Sequence, residues 1–257
     1  MKSCWRLLRN EKEVDFHYDL EREYDQICHR MGGLDWQPIG LTFQLAAVTT
    51  LLLLLVCIPL SYWLAYTQNR LKPVAEALVS LPLVLPPTVL GFYLLMVFSP
   101  TSWVGVWLHN VLGIRLVFSF PGLVVASMIY SLPFMVQPLQ AGFSRIPTSL
   151  HEAAHVLGRT RLQTLLQVLL PNMRPSLLTG IVLAFAHTIG EFGVVLMIGG
   201  NLPGQTKVAS IAIFDATESL DYETAHAYSL VLLLLSFGVL LLVYGFNGKY
   251  LRREGPW

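Results

Sequence analysis

Charged residues and cysteine are scarce in this sequence. Asp, Glu, Lys and Arg make up 13% of the 257 residues, roughly half of the share that is usual in soluble domains. The formal net charge is +1, so no excess of positive charge favours a nucleic acid as partner. The three cysteines, Cys4, Cys28 and Cys57, form no CxxC pair, which argues against a disulfide framework and against a thiolate metal site.

Two sequence signals are also missing. There is no G-x-x-x-x-G-K-[ST] motif, so we expect the chain to hold no ATP phosphates itself, and no cofactor or metal. We also expect no N-terminal signal peptide, because the first apolar run starts about forty residues into the chain.

Long apolar stretches dominate what is present. The sequence is 54% hydrophobic with a mean hydropathy of +0.57, which is typical of an integral membrane protein. A spanning helix needs about 20 apolar residues. Five stretches qualify, at residues 41–66, 77–98, 120–143, 176–198 and 227–246. We therefore predict an all-α integral membrane fold with five transmembrane helices.

Basic residues are unevenly distributed between these stretches. Only Arg115 and Lys207 follow the second and fourth stretches. Nine basic residues follow the first, third and fifth: Arg70, Lys72, Arg145, Arg159, Arg161, Arg174, Lys249, Arg252 and Arg253. By the positive-inside rule, the loop after the third stretch and the C-terminus are cytoplasmic, and the N-terminus is periplasmic.

Two segments fall outside this scheme. Residues 1–35 carry six basic and eight acidic residues. They are either a short soluble extension or the result of a start codon assigned too early, in which case Met31 would be the true first residue. Residues 99–119 contain Trp103 and Trp107, which suit a membrane-surface segment; a sixth short span is the alternative. We predict one transmembrane domain over 36–250 and a cytoplasmic tail over 251–257.

The loop after the third stretch has helix start and stop signals. Ser149 and Glu152 have capping-box spacing, and Gly158 suits a left-handed C-terminal cap. These signals predict a short helix over 150–157. A second amphipathic helix is expected to end at Pro171, with an apolar face formed by Leu162, Leu165, Leu166 and Leu169.

The same loop resembles the EAA loop of ABC importer permeases. Glu152-Ala153-Ala154, three residues, Gly158, nine residues and Val168-Leu169-Leu170-Pro171 match that family's pattern at every fixed position. The resemblance implies a type I permease fold, no enzymatic activity, and a coupling helix that docks on a separate cytoplasmic ATPase. The implied interface residues are Leu150, His151, Glu152, Ala153, Ala154, Leu157 and Gly158.

An H-E-x-x-H motif overlaps these residues. His151 and His155 with Glu152 have the spacing of a zinc protease, so a membrane metalloprotease is an alternative function. The position of the third ligand holds Arg161, which cannot bind zinc. We expect His151 and His155 to be exposed helix residues near the ATPase interface.

Two stretches within the predicted spans contain helix breakers or an acid. Residues 81–91 hold three prolines, and a broken helix in a bilayer lines a cavity or packs inside the protein. Glu191 is an intramembrane acid that could pair with His187 at i, i+4. The breaks suggest either structural kinks or a translocation pathway. The candidate pore or gate residues are Pro86, Pro87, Thr88, His187, Glu191 and Gly193.

The segments LPLVLPPTVLGFYLL, GEFG and GNLPGQT resemble the molybdate group of these permeases. The resemblance implies a homodimer with a central pore in the bacterial inner membrane, two ATPase subunits and a periplasmic molybdate-binding protein. Tungstate and sulfate or thiosulfate are alternative substrates, and a membrane sensor without flux is a further alternative.

Overall fold

The computed structural model describes residues 34–251, and within that range it contains helices and connecting turns but no strand. The proposed extension over 1–35 and the tail over 251–257 therefore lie almost wholly outside the described residues. The helices are α1 (Gln37–Tyr66), α2 (Lys72–Val84), α3 (Pro87–Phe98), α4 (Trp103–Leu112), α5 (Phe120–Ser144), α6 (Thr148–Val156), α7 (Arg161–Asn172), α8 (Arg174–Ile189), α9 (Gly193–Gly199), α10 (Ala209–Glu218) and α11 (Tyr222–Leu251).

Three helices, α1, α5 and α11, are long and apolar enough to cross a bilayer. Two bent pairs bring the number to five when each is taken as one span: α2 with α3, at 113°, and α7 with α8, at 82°. The prediction of five membrane-spanning segments is thus compatible with the fold. The second segment is bent, and the pair counted as the fourth, α7 with α8, begins before the predicted stretch 176–198 starts and ends before that stretch does.

Helices α1 and α5 form the centre of the molecule and run parallel. Near their first residues, Leu45 and Leu123 share one hydrophobic cluster. Near their last residues, Leu64 and Phe143 share another, and the Ser61 hydroxyl donates to the Val136 carbonyl at 3.2 Å. We call the two ends of the bundle the Thr42 end and the Phe143 end.

The remaining spans alternate in direction around this pair. Val79 of α2 packs in the cluster at the Phe143 end, whereas Leu90 of α3 packs at the Thr42 end. Helix α8 runs antiparallel to α5, because Ser176 approaches Gly142 and Thr188 bonds to Ser131. The loop that contains α6 therefore lies at the Phe143 end, opposite the segments that connect α3 to α5 and α9 to α10.

The second and fourth predicted spans are broken, the second between α2 and α3 and the fourth between α8 and α9, and both breaks have a local chemical cause. Helix α2 ends at Val84 and α3 begins at Pro87, and Pro86 and Pro87 cannot donate the backbone hydrogen bonds that would continue a helix. Helix α8 ends at Ile189, with Gly190 as its C-cap. The break predicted from the prolines of 81–91 is therefore confirmed, whereas the continuous helix expected over 176–198 is wrong.

Helix α4 resolves the choice left open for residues 99–119. It has ten residues, so it is roughly 15 Å long and too short to cross a hydrocarbon core of about 30 Å. Trp103 is 83% exposed and Trp107 51% exposed. The alternative of a sixth short span is therefore wrong, and a membrane-surface helix agrees with both the length and the exposed tryptophans.

Candidate functional site

Helix α6 projects from the Phe143 end and is closed by a tight turn. Gly158 has a φ of +68°; its N–H donates to the His155 carbonyl at 3.0 Å, and the Arg159 N–H donates to the Ala154 carbonyl at 3.1 Å. These two bonds form a Schellman motif, which requires a left-handed residue. The predicted role of Gly158 as the helix stop is confirmed.

The start of α6 differs from the prediction. The helix begins at Thr148 after the N-cap Pro147, and no side chain caps it, so the expected Ser149–Glu152 capping box is absent. A capping box forms instead at α7, between Thr160 and Gln163. Pro171 does not end α7, which reaches Asn172 through a wider π-helical turn over Leu165–Leu169.

The candidate interface residues divide between two faces of α6. Glu152, Ala153, His155 and Val156 are exposed and form what we call the outer face. Leu157 and Gly158 follow the helix and are also exposed. Leu150 is half-buried, and Ala154 is only 3% exposed. The expectation that Ala154 presents a surface to a partner is thus wrong, because it packs against its own chain.

His151 also points inward. Its ring lies edge-on to Tyr66, with centroids 4.7 Å apart, and its Nε2 atom is shielded from solvent. The prediction that His151 is exposed is wrong, whereas His155 is exposed as expected. Among residues 34–251 no group of three or more His, Cys, Asp and Glu side chains could hold a metal ion, so the H-E-x-x-H motif gains no third ligand there.

The two broken spans meet each other. A Cβ atom added to Gly193 would lie 2.9 Å from the Pro87 Cβ and 3.3 Å from the Thr88 backbone nitrogen. One added to Gly91 would lie 2.8 Å from the Met197 Cβ. Helices α3 and α9 are therefore in close contact along their length, and Gly193, Pro87 and Thr88 form one junction at the Thr42 end.

Glu191 lies in the break beside this junction. It is 4% exposed, and within the described part of the chain neither carboxylate oxygen has a hydrogen-bond partner. The Ser127 hydroxyl lies close to the carboxyl without forming a hydrogen bond. The backbone is better held, since the Ser210 hydroxyl donates to the Glu191 carbonyl at 2.7 Å. A buried carboxyl without partners is costly for a folded protein.

The predicted pair between His187 and Glu191 does not form. The Nδ1 atom of His187 lies 3.0 Å from the Ser131 hydroxyl, and its ring stacks on Phe134 with centroids 3.9 Å apart. The i, i+4 argument fails because α8 ends at Ile189, so Glu191 no longer lies on the helix that carries His187.

Some structurally important groups were not anticipated from the sequence. The Thr42 hydroxyl accepts from the Ala209 N–H at 2.8 Å and so caps the start of α10. A cleft of about 470 Å³ between α5 and α8 at the Phe143 end has polar lining groups from Gln137, Arg145, Ser176 and Thr179. The available sequence signals were polar residues within apolar runs, at positions 42 and 137.

Comparisons with known proteins agree with this architecture. The family model described as "Binding-protein-dependent transport system inner membrane component" matches residues 57–253. The molybdenum transport system permease protein ModB of Azotobacter vinelandii is 49% identical over 82% of this chain and 93% of its own length. A putative molybdenum permease of Bacillus subtilis, YvgM, is 34% identical over 80% and 91%. The sulfate transport system permease protein CysT of Escherichia coli is 34% identical over 71% and 65%.

Solved structures show the same fold at lower identity. A chain of a bacterial ABC transporter involved in alginate import superposes with a TM-score of 0.69 at 18% identity, covering 86% of this chain and 79% of that one. A chain of the inward-facing MetNI methionine ABC transporter gives a TM-score of 0.63 at 16% identity, covering 88% and 99%. With the architecture of type I ABC importer permeases, this chain belongs to the family of inner membrane components of binding-protein-dependent transport systems.

Proposed function

We propose that this chain is the permease subunit of an ATP-driven importer of molybdate in the bacterial inner membrane. Two relatives named as molybdenum permeases match more than nine-tenths of their own length. The sulfate permease of Escherichia coli matches over a smaller share of both chains. The higher identity to ModB and these coverages favour molybdate over sulfate. Tungstate and thiosulfate remain alternative substrates.

The observation that carries the proposal is the exposure of α6. Val156 of its outer face is 87% exposed and the adjoining Leu157 is 77% exposed, so apolar groups are left uncovered outside the spanning bundle. Such groups suit contact with a soluble partner. We assign this surface to a cytoplasmic ATPase. The sequence of this chain has no phosphate-binding loop, so we assign ATP hydrolysis to that separate subunit.

The rest of the assembly follows from the two ends of the bundle. From the distribution of basic residues we propose that the Phe143 end faces the cytoplasm and the Thr42 end the periplasm. At the Thr42 end, the GNLPGQT segment (residues 200–206) forms a turn. The turn is held by the Thr206 hydroxyl, which donates to the Gly199 carbonyl at 2.7 Å. We propose that a periplasmic molybdate-binding protein docks at this end and that two copies of the chain enclose the pore.

The junction of broken spans is proposed as the periplasmic gate. It combines Pro86, Pro87, Thr88 and Gly193 with the buried Glu191. His187, also a candidate gate residue from the sequence, contacts Ser131 and Phe134 of α5 instead. Because a carboxylate repels an anion, Glu191 is assigned to gating and not to holding the substrate. The cleft lined by Arg145 offers the passing oxyanion a cation near the cytoplasmic exit.

Replacement of Gly158 tests the coupling role of α6. Gly158→Val should lower ATP-dependent molybdate uptake about tenfold, because a left-handed backbone costs a bulky residue roughly 1–2 kcal/mol and α6 would lose its fixed angle. Gly158→Asn is the matched control, because asparagine tolerates this conformation, and it should retain most uptake. Equal uptake by both variants would contradict the assignment.

Competition tests the proposed substrate. In proteoliposomes that contain the complete transporter, unlabelled tungstate should reduce labelled molybdate uptake at much lower concentration than sulfate does, because the relatives matched over most of their length are molybdenum permeases. The initial rate of uptake is the quantity measured. Stronger inhibition by sulfate than by tungstate would assign the chain to the sulfate branch.

A further inference from the structure

Four aromatic rings connect α6 to the spanning helices. We call this set the ring cluster, formed by Tyr62, Tyr66, Phe143 and His151. Tyr62 lies edge-on to Phe143 with centroids 5.6 Å apart, and His151 lies edge-on to Tyr66 at 4.7 Å. These separations fall within the range in which edge-to-face rings attract each other.

The cluster is anchored in the core on one side and reaches the loop on the other. Phe143 is fully buried at the end of α5, and the Tyr66 hydroxyl donates to its carbonyl at 3.0 Å. This bond ties the last residue of α1 to the end of α5. His151 is the member that belongs to α6. A displacement of α6 would therefore be passed to the spanning helices through the contact of the His151 ring with Tyr66.

Few other side chains of α6 can perform this role. Most of its residues are exposed, and those facing inward are Leu150, His151 and Ala154. Ala154 has only a methyl group, and Leu150 lines a cavity of about 260 Å³ at the Phe143 end. His151 is the inward residue whose ring packs on α1.

Helix α1 offers a route from this contact to the opposite end. It is 30 residues long, hence roughly 45 Å, and is in contact with α5 through both clusters. At its far end the Thr42 hydroxyl caps α10, and Ser210 of α10 holds the Glu191 backbone. Movement of α1 would therefore reach the junction of the broken spans through two hydrogen bonds.

We propose that His151 is a positioning residue that transmits the displacement of α6 to α1 through the ring cluster. The inference rests on the proposed function of the chain as a permease driven by a separate ATPase. It differs from the docking role that the loop resemblance implies for His151, since the ring faces its own chain and not the outer face. His151 should therefore govern how much transport each ATP supports, and not whether the ATPase binds.

The test compares His151 with Ser149, an exposed residue of α6 that belongs neither to the outer face nor to the ring cluster. His151→Ala and Ser149→Ala are each purified with the ATPase subunit and reconstituted with the binding protein. The measured quantity is the number of molybdate ions imported per ATP hydrolysed. We expect His151→Ala to lower this ratio about 2- to 30-fold, the span of coupling energies typical of such contacts, with an unchanged amount of copurifying ATPase. Ser149→Ala should match the wild-type ratio.

Two further variants separate transmission from folding. His151→Phe keeps an aromatic ring and should retain the ratio to within about twofold, whereas His151→Leu keeps bulk without a ring and should not. Equal ratios in His151→Ala and Ser149→Ala, or in His151→Phe and His151→Leu, would overturn the inference. Absence of ATP-dependent uptake by the wild type would instead overturn the proposed function, and the inference with it.

Discussion

Replacing Glu191 with lysine is expected to destabilise the folded chain by roughly 3–5 kcal/mol, the cost of an uncompensated buried charge. The side chain is 4% exposed, and no described residue within hydrogen-bonding distance could neutralise a cation there. The measurement is the thermal unfolding midpoint of the detergent-purified chain. A midpoint within a few degrees of wild type would show that the site admits water or a counter-charge.

Glu191→Gln separates a gating role from a structural one. The amide has nearly the same shape, so unfolding free energy should stay within about 1 kcal/mol of wild type. Uptake should nevertheless fall about tenfold if the carboxyl finds a partner only when the gate opens, since an unsatisfied buried group calls for such an explanation. Wild-type uptake by Glu191→Gln would make the carboxyl dispensable for gating.

Adding a single methyl group at Gly193 should also have a large effect. The new Cβ would lie 2.9 Å from the Cβ of Pro87, and a proline ring cannot rotate away. We expect Gly193→Ala to cost about 1–3 kcal/mol, as overpacking usually does, and to reduce molybdate uptake more than tenfold because the two broken spans are forced apart.

The neighbouring Gly190 supplies a matched control. It lies in the same break, but a Cβ there would have its nearest neighbours at 3.9 Å, and its φ of −85° is ordinary for alanine. Gly190→Ala should leave both the unfolding midpoint and uptake close to wild type. If Gly193→Ala and Gly190→Ala had the same unfolding midpoint and the same uptake, the close contact between α3 and α9 would not be needed for transport.

The sequence was most informative where one local signal determines one local structure. The lengths of the apolar stretches predicted the spanning segments, and Gly158 was predicted as a helix stop because a left-handed turn has few alternative residues. The proline-rich stretch correctly indicated a broken helix. Its bend of 113° could not be predicted, because that angle depends on the packing of α3 against α9.

Predictions that needed the direction of a side chain were less successful. His151 and His155 have the same chemistry and lie on the same short helix, yet only His151 turns toward Tyr66. The expected pairing of His187 with Glu191 assumed a continuous helix, and the break after Ile189 removed it. Which face of α6 is buried depends on the ends of α1 and α5, which are distant in sequence.

Uptake by the reconstituted complex tests the central claim most directly. The chain, its ATPase and its binding protein would be placed in proteoliposomes, and labelled molybdate would be followed with ATP or with a nonhydrolysable analogue. Our account predicts that molybdate accumulates with ATP and not with the analogue. It also predicts that this accumulation is lost when the outer face of α6 is disrupted, for example by Ala153→Arg. Accumulation that needs no ATP, or that Ala153→Arg leaves intact, would contradict it.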